Sequence, residues 1–318
     1  MGQGKKENSQ KKDNMKNTTN SNPLLCDPAE GICGIPNNSS NSDITLQKTE
    51  KPVKLIYFTD PICSSCWGIE PQLRKLKLEY GEDIEIEYRM GGLLPDWSYN
   101  GGGISKPSDV AHHWDEASAY YDMPIDGDLW IEDPLDSSYP PSIAFKAAQI
   151  QDPDKALLFL RELKEMVFLK KKNIAKWQQI ETAAQICGLD VKLLKEDFDN
   201  KAKELFQEDL KLSREYAVRG FPTIFFVNAE GKKETVHGSQ PYSFYQNAVL
   251  KIYPSASKKQ YDRHWKALFS KYQSLTAREF SELSDLSRTE SEFVLNELSN
   301  AGRLKKFKTK NGSLWTII

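Results

Sequence analysis

Two cysteines separated by two residues, Cys63 and Cys66, are the part of the sequence best suited to chemistry. They follow an apolar run typical of a buried strand and open a segment with helical character. At the first turn of a helix, unpaired backbone N–H groups and the helix dipole favour a thiolate over a thiol. We therefore predict that Cys63 is an exposed nucleophile and that the more shielded Cys66 resolves the mixed disulfides formed by Cys63.

The residues around this cysteine pair modify the predicted chemistry. Asp60 and Pro61 lead out of the strand, and Ser64 and Ser65 separate the two cysteines. Neither serine brings a positive charge to the thiolate, whereas a His or Lys at these positions would stabilise it further. We therefore expect a moderately lowered pKa and a couple less oxidising than that of a strong periplasmic oxidant.

A second candidate segment, Gly220-Phe221-Pro222-Thr223, directly precedes a β-prone run. Proline cannot donate to a sheet ladder, so it is confined to the start or the edge of a sheet. A cis peptide before Pro222 would turn the flanking backbone groups towards Cys63, where an extended substrate could pair with them. We predict this cis peptide and this proximity; the simpler alternative is that Pro222 only starts an edge strand.

Several aromatic side chains near these segments have two interpretations. Trp67 and Phe221 either line the groove where a peptide substrate binds or are ordinary core residues. His112 and His113 lie in a region that resists a regular assignment. We expect them to form a surface or core pair, with a role in a substrate cleft as the alternative.

The alternative to redox chemistry at Cys63 and Cys66 is a structural metal site. One Cys-x-x-Cys supplies two ligands, whereas a structural zinc ion takes four. The other two ligands would be Cys26 with Cys33, or His112 with His113. Because four convergent ligands are not evident, we predict that the protein holds no metal.

The remaining cysteines lie apart from this motif. Cys26 and Cys33 are separated by six residues in an otherwise polar N-terminal stretch. They are either unpaired thiols in a mobile tail or an accessory pair whose disulfide is a substrate of Cys63, and the sequence leaves both interpretations open. Cys187 lies in an apolar helical stretch, where we expect a buried and unreactive thiol.

The composition argues against several classes of protein, namely nucleic-acid-binding, membrane and secreted proteins. The chain has 318 residues, 39% of them hydrophobic, and a net charge of −2, which argues against strong attraction to nucleic acid or anionic membranes. No apolar run approaches the ~20 residues that a membrane helix needs. The polar stretch from Met1 to Asn22 lacks the apolar core of a secretory signal. We therefore expect a cytoplasmic protein with no membrane partner.

The order of elements predicts an α/β fold. A buried strand at 53–59 precedes the cysteine helix, which we expect from about 63 to 80, and a second strand follows at 84–90. A long helical insertion over about 108–216 separates these from a strand–strand–helix unit between 223 and 252. This arrangement would bring the cysteine helix and the later strands into one domain.

The chain divides into three parts. Residues 1–50, which contain Cys26 and Cys33, are polar and without periodicity, and we predict that they form a disordered tail. Residues 51–254 form the main domain, and residues 255–318 form a C-terminal module with an excess of Lys and Arg. The order helix, helix, helix, hairpin in this module is typical of a winged helix.

The C-terminal module is poorly suited to DNA. The helix that would enter a groove carries Glu290 and Glu292, where phosphates would approach. The hairpin, with a turn predicted at Asn311-Gly312, holds most of the basic residues. We therefore expect either contact with a protein, such as a protease or a transcription factor, or plain packing on the main domain, and we do not expect nucleic acid as a partner.

Three motifs together resemble known proteins. They are Thr59-Asp60-Pro61-x-Cys63-x-x-Cys66-Trp67-x-x-Glu70-Pro71, Gly92-Leu93-x-Pro95-Asp96 and Ser142-x-Ala144-x-Lys146-Ala147-Ala148. With Gly-x-Pro-Thr before a later strand, the chain resembles thioredoxin-fold proteins, and its helical insertion is similar to the DsbA-like branch. Within that branch it resembles the FrnE-like predicted disulfide isomerases and the SpxH family of adaptors, which present the regulator Spx to the ClpXP protease. The resemblance covers residues 53–252 well and the C-terminal module in outline.

These observations lead to a ranked set of functions. The first is a thiol–disulfide oxidoreductase or isomerase that acts on protein or small-molecule disulfides and needs no cofactor beyond reducing equivalents from another thiol system. The second is a non-catalytic adaptor that uses the thioredoxin fold to bind a peptide and the C-terminal module to reach a protease or transcription factor. The third, implied by the resemblance, is a glutathione-dependent isomerase of a small molecule.

Overall fold

A computed structural model describes residues 51–98 and 104–318 in full and residues 26–27 and 32–34 as backbone. Two short strands, β1 (Cys26–Asp27) and β2 (Ile32–Gly34), therefore lie where the sequence predicts a disordered tail. The rest of that prediction, over residues 1–50, falls outside the described residues. No helix in the described ranges is long and apolar enough to cross a membrane.

The centre of the main domain is a four-stranded mixed sheet. Its strands, in the order β4-β3-β6-β7 across the sheet, are β3 (Val53–Thr59), β4 (Ile84–Met90), β6 (Thr223–Val227) and β7 (Lys233–His237). Strand β3 runs parallel to β4 and antiparallel to β6, and all seven of its residues are buried. Burial of the whole strand agrees with its largely apolar run. The preceding two-residue strand β5 (Gly220–Phe221) lies outside this sheet.

The segment after β3 forms two helices where the sequence predicts one. Helix α1 covers Ser64–Gly68 and helix α2 covers Glu70–Tyr80, with the break at Ile69. Pro71 explains the break, because it has no N–H to donate to the carbonyl of Trp67 and its ring crowds that group. The cysteine pair therefore lies on a separate, short helix.

In the part that the structure describes, the helical insertion between β4 and β5 contains seven helices. They are α3 (Pro107–Tyr121), α4 (Leu129–Glu132), α5 (Tyr139–Gln151), α6 (Pro153–Phe168), α7 (Trp177–Ile186), α8 (Val191–Asp199) and α9 (Lys201–Glu215). Breaks in the helical insertion fall at Asp152, between Phe168 and Trp177, between Ile186 and Val191, and at Asn200. His112 and His113 lie on helix α3, where both contact Glu116. Helix α10 (Tyr242–Ile252) then closes the domain.

The C-terminal module is a winged helix with its own core. Its elements are α11 (Trp265–Lys271), β8 (Ser274–Thr276), α12 (Ala277–Ser284), α13 (Arg288–Asn300), β9 (Leu304–Thr309) and β10 (Gly312–Ile317). Strands β8, β10 and β9 form an antiparallel sheet, and the predicted turn at Asn311-Gly312 joins β9 to β10. Leu268, Phe280 and Trp315 pack together at the centre of the module.

Helix α11 begins only at Trp265, and residues 256–264 before it are not helical. The chain before it passes helix α2, where the N–H of Lys259 donates to the carbonyl of Glu79 at 2.8 Å. The Lys258 ammonium also lies 3.1 Å from the Glu79 carboxylate. These contacts hold the chain away from helical geometry and begin the docking of the module on the main domain.

Candidate functional site

Cys63 and Cys66 form a disulfide at the start of helix α1, with their Cα atoms 5.2 Å apart. Cys63 is the N-cap residue of the helix, and its sulfur accepts a hydrogen bond from the N–H of Cys66 at 3.1 Å. The predicted placement of the pair, after a strand and at a helix N-terminus, is confirmed. In the reduced state, the same N–H group would stabilise a thiolate on Cys63.

The burial of this pair differs from the prediction. Cys63 is 0% exposed, as is Cys66, so the expectation of an exposed nucleophile is wrong for this structure. Strand β2 pairs with β5, and Cα atoms of β2 and α1 come within 8 Å of one another. The N-terminal chain therefore adds cover beside the helix start. The hydroxyl of Ser65 in helix α1 is hydrogen-bonded to that of Tyr121 at the end of helix α3, at 2.7 Å.

Asp60, at the end of β3, carries a buried carboxyl group below the cysteine turn. Its backbone carbonyl accepts from the N–H of Cys63 at 3.2 Å. Its carboxyl accepts hydrogen bonds from the N–H groups of Ile62 and Leu93 and from the hydroxyl of Ser138. Burial nevertheless raises the pKa of Asp60 to about 6, because the charged form loses its hydration. The residue therefore changes charge close to neutral pH.

The second predicted segment also has the expected backbone. The peptide between Phe221 and Pro222 is cis. Thr223 pairs with Phe58 of β3, the strand that leads into the cysteine turn, and its hydroxyl donates to the carbonyl of Gly220 at 2.7 Å. The topology thus brings the Pro222 segment to the end of the sheet from which the cysteine pair emerges.

The two aromatic residues of the predicted site are both completely buried. Trp67 stacks on Phe168 with ring centroids 5.5 Å apart, and its indole N–H donates to the carbonyl of Pro124 at 3.1 Å. The Phe221 ring fills the space over Gly91, where an added Cβ would lie 1.8 Å from the ring. Both side chains occupy core positions, so it is the backbone of Phe221 that remains for substrate contact.

A buried network of charges joins the back of this site to the C-terminal module. The guanidinium of Arg161 lies 4.4 Å from the centre of the Trp67 ring and donates to both carboxylate oxygens of Glu279 at 2.7 and 3.1 Å. Arg161 also donates to Glu165 at 2.7 Å, and Arg74 lies 3.3 Å from Glu279. One side chain thus contacts both the aromatic residue next to Cys66 and helix α12.

The same network holds a carboxylate close to helix α1. Glu70 accepts a hydrogen bond from the ammonium of Lys164 at 2.6 Å. Burial alone would raise its pKa, but the positive charges of Lys164, Arg161 and Arg74 lower it to about 2. In the sequence, Glu70 stands out only as part of a motif, because Lys164 and Arg161 lie far along the chain on helix α6 and Arg74 lies on helix α2.

An open cleft of about 780 Å³ lies between the insertion and the C-terminal module. Its walls include four partly exposed apolar side chains from both parts of the protein: Leu158, Ile186, Phe307 and Ile317. Lys271 and Lys305 also line it, and neither forms an ion pair with any residue in the described ranges. Polar–apolar mixtures of this kind are typical of surfaces that bind other proteins.

Differences in thiol reactivity are the first testable consequence. After reduction, we expect Cys63 to be alkylated faster than Cys66 at neutral pH, because Cys63 lies at the helix N-terminus. Burial and then Glu162 and Glu165 raise the pKa of half-buried Cys187 to about 12, which lowers its thiolate fraction. Because a more basic thiolate is also more nucleophilic, which offsets part of this loss, we expect Cys187 to react roughly 100-fold more slowly than a free thiol. A time course with iodoacetamide and peptide mapping measures these rates. Equal alkylation rates at all three cysteines in the folded protein would contradict the prediction. In urea, where the fold is lost, the three alkylation rates should become equal, and this is the control.

Comparison with known proteins gives consistent results. A family model described as Thioredoxin matches residues 57–247. The "ClpXP adapter protein SpxH" of Halalkalibacterium halodurans is 34% identical over 303 residues, which cover 93% of this chain and 98% of the relative. The protein of the same name from Bacillus subtilis is 28% identical and covers 84% of this chain and 89% of that relative.

Among solved structures, the cytosolic disulfide reductase DsbM from Pseudomonas aeruginosa superposes with a TM-score of 0.50 at 19% identity. The superposition covers 63% of this chain and 99% of that protein. At this level of identity the likeness concerns the fold, which is the DsbA-like form of the thioredoxin fold expected from the helical insertion.

Proposed function

The chain belongs to the thioredoxin family and, over nearly its whole length, to the SpxH family of ClpXP adaptors, and from this premise we propose that it is itself an adaptor. In this function it binds a Spx-type regulator and presents it to the ClpXP protease. The proposal keeps the cytoplasmic location expected from the sequence. It places the adaptor function ahead of the oxidoreductase function that the cysteine motif alone favours.

The observation that carries this proposal is the extent of the similarity. The thioredoxin model ends at residue 247, before the C-terminal module, whereas the adaptor relative covers 93% of the chain. A pure disulfide reductase such as DsbM aligns with 63% of it. The adaptor relative therefore shares the C-terminal module. The hydrogen bonds between Glu279 and Arg161 hold this module on the main domain, which supports its role as a contact surface.

The cleft between the insertion and the module fits this function. Its apolar residues Ile186 and Phe307 are 62% and 41% exposed. Contact of this apolar surface with water is unfavourable unless a partner covers it. Lys271 and Lys305 provide positive charge at the same place. We propose that an extended segment of the regulator with apolar and acidic side chains binds here, since both features would be complemented.

A reconstituted degradation assay tests the adaptor function. Purified ClpX, ClpP and Spx are combined with and without this chain, and the rate of Spx loss is measured. We expect the chain to accelerate degradation, and the double variant Phe307→Ala/Lys305→Glu to reduce this acceleration by about tenfold or more, as for a lost binding hot spot.

The matched control changes the same residue types outside the cleft. Phe293→Ala/Lys308→Glu also removes one exposed phenyl ring and reverses one lysine charge, and we expect degradation within about twofold of the unmodified chain. An unmodified chain that fails to accelerate degradation would refute the adaptor function. Equal losses in both double variants would refute the cleft as the binding site.

A second candidate function is thiol–disulfide exchange at Cys63. The supporting observation is the Cys63–Cys66 disulfide at a helix N-terminus, at the same end of the sheet as the cis Pro222 segment. In exchange, a Cys63 thiolate would attack a substrate disulfide and Cys66 would resolve the product.

Peptide reduction and trapping test this second function. The reduced chain should reduce a disulfide-bonded peptide, and Cys63→Ser should lower the rate by about 100-fold or more, because the nucleophile is lost. Cys66→Ala should instead accumulate a mixed disulfide between Cys63 and the peptide. An unchanged rate in Cys63→Ser would exclude the exchange mechanism.

A further inference from the structure

The edge formed by Gly220–Phe221 is occupied by the chain's own N-terminal region. In the described part of the chain, β5 pairs with one strand only, and that strand is β2. Gly34 lies opposite Gly220, and Cys33 lies opposite Phe221, in antiparallel register. An extended substrate that adds to this edge would use the same backbone groups.

The register also sets the position of the two N-terminal cysteines relative to one another. Cys26 in β1 lies opposite Cys33 in β2. Residues opposite each other in an antiparallel pair have Cα atoms ~4.5–5.5 Å apart, within the ~4.4–6.8 Å that a disulfide spans. The backbone therefore places Cys26 at bonding distance from Cys33, and Cys33 beside the residue that precedes Pro222.

The burial of Cys63 is an independent observation that agrees with this arrangement. Cys63, the N-cap residue of helix α1, is 0% exposed. The Cα atoms of β2 come within 8 Å of those in helix α1, which begins directly after Cys63. Chain from the N-terminal region thus lies both on the edge at Phe221 and next to the cysteine helix.

We propose that strands β1 and β2 form a built-in substrate, whose cysteine pair exchanges disulfides with Cys63 and Cys66. Cys33 is the N-terminal cysteine that forms the mixed disulfide with Cys63, in either direction of the exchange. Cys26 is the resolving partner of Cys33. The inference rests on the second candidate function, thiol exchange at Cys63, and is independent of the adaptor function. Occupation of the edge also means that an external peptide must displace β2 before it can pair with β5.

The exchange is balanced within one chain. A Cys63 thiolate attacks the sulfur of Cys33, so that a Cys33–Cys63 bond forms and Cys26 leaves as a thiolate. The Cys66 thiolate then attacks Cys63, forms the Cys63–Cys66 disulfide and releases the Cys33 thiolate. Two electrons pass to the N-terminal pair, and the protons lost by Cys63 and Cys66 are taken up by Cys26 and Cys33. The reverse reaction starts from the Cys63–Cys66 disulfide seen in the structure.

Two full-length double variants test which N-terminal cysteine meets Cys63. Cys26→Ser/Cys66→Ala retains Cys33 with Cys63, and Cys33→Ser/Cys66→Ala retains Cys26 with Cys63. Each is oxidised with glutathione disulfide, and non-reducing peptide mapping follows the intramolecular disulfide. We expect Cys33–Cys63 to form at least about tenfold faster than Cys26–Cys63, since effective concentration depends on placement.

The outcomes separate this inference from the function on which it rests. Equal rates in the two variants would mean a tail without fixed register and would overturn the proposal. One zinc ion per native chain, lost in Cys33→Ser, would also overturn it, because the thiolates would then be metal ligands. If Cys33–Cys63 forms rapidly but the native chain reduces no peptide disulfide, only the second candidate function fails. Rapid peptide reduction without preference for Cys33 would refute this inference alone.

Discussion

Replacement of Glu279 by alanine should destabilise the protein by about 3–5 kcal/mol, the range typical of breaking a buried ion pair. Glu279 is 0% exposed and accepts two hydrogen bonds from Arg161 and one from the N–H of Thr276 at 2.8 Å. Its loss would leave Arg161 buried with less compensating charge. Urea unfolding followed by circular dichroism measures the effect.

The control for this variant is an exposed acidic residue of the same module. Glu292 pairs with Arg288 at the surface, with 46% of its side chain exposed. Glu292→Ala should change the free energy of unfolding by no more than about 0.5 kcal/mol. Similar effects of the two variants, or a loss below about 1 kcal/mol in Glu279→Ala, would contradict the importance of the buried network.

The charge of Glu279 also predicts a dependence on pH. Burial by itself would raise its pKa, but Arg161 and Arg74 hold the pKa below its usual value. A carboxyl group with a lowered pKa in the folded state stabilises the protein above its unfolded pKa of ~4.3 and loses this effect as the pH falls. The difference in stability between the unmodified chain and Glu279→Gln should therefore shrink in acid.

The connection from Trp67 through Arg161 to Glu279 has a consequence for both candidate functions. Trp67 follows Cys66, and its ring contacts the same guanidinium that fixes helix α12 of the C-terminal module. A change in packing at the cysteine helix would therefore alter the contacts of Arg161, which lines one wall of the cleft. The disulfide state and the proposed binding surface share a contiguous set of contacts.

Local sequence signals were sufficient for the cysteine pair, the cis peptide before Pro222 and the winged-helix order. Each depends on residue types with strong backbone or chemical preferences, and these act over a few positions. The break at Ile69 was missed because Pro71 was expected to lie within one continuous helix.

Long-range pairing explains what the sequence could not predict. Arg161 and Glu279 are 118 positions apart and look like ordinary surface charges until the fold buries them together. Residues 32–34 lie in an otherwise polar stretch without periodicity, yet they pair with strand β5 almost 190 residues further on and approach helix α1. Pairing of this kind is decided by tertiary contacts, which local patterns do not contain.

The buried carboxyl group of Asp60 gives the second large effect. Its pKa is raised from 3.8 to about 6, so its ionisation is less favourable in the folded than in the unfolded chain. As the pH rises from about 4 to above 6, the unmodified protein should therefore lose about 3 kcal/mol of stability through this group. Asp60→Asn has no such ionisation, so its stability relative to the unmodified protein should increase over the same interval.

Urea unfolding of Asp60→Asn and the unmodified chain between pH 4 and pH 8 measures this difference. The absolute stability of the variant also depends on how an amide fits the donors Ile62, Leu93 and Ser138, but that contribution does not vary with pH in this range. Asp96→Asn is the control, because hydrogen bonds from Ser98 lower the pKa of exposed Asp96, and its difference from the unmodified chain should be flat above pH 5. A flat difference for Asp60→Asn as well would mean that Asp60 ionises normally in the folded protein.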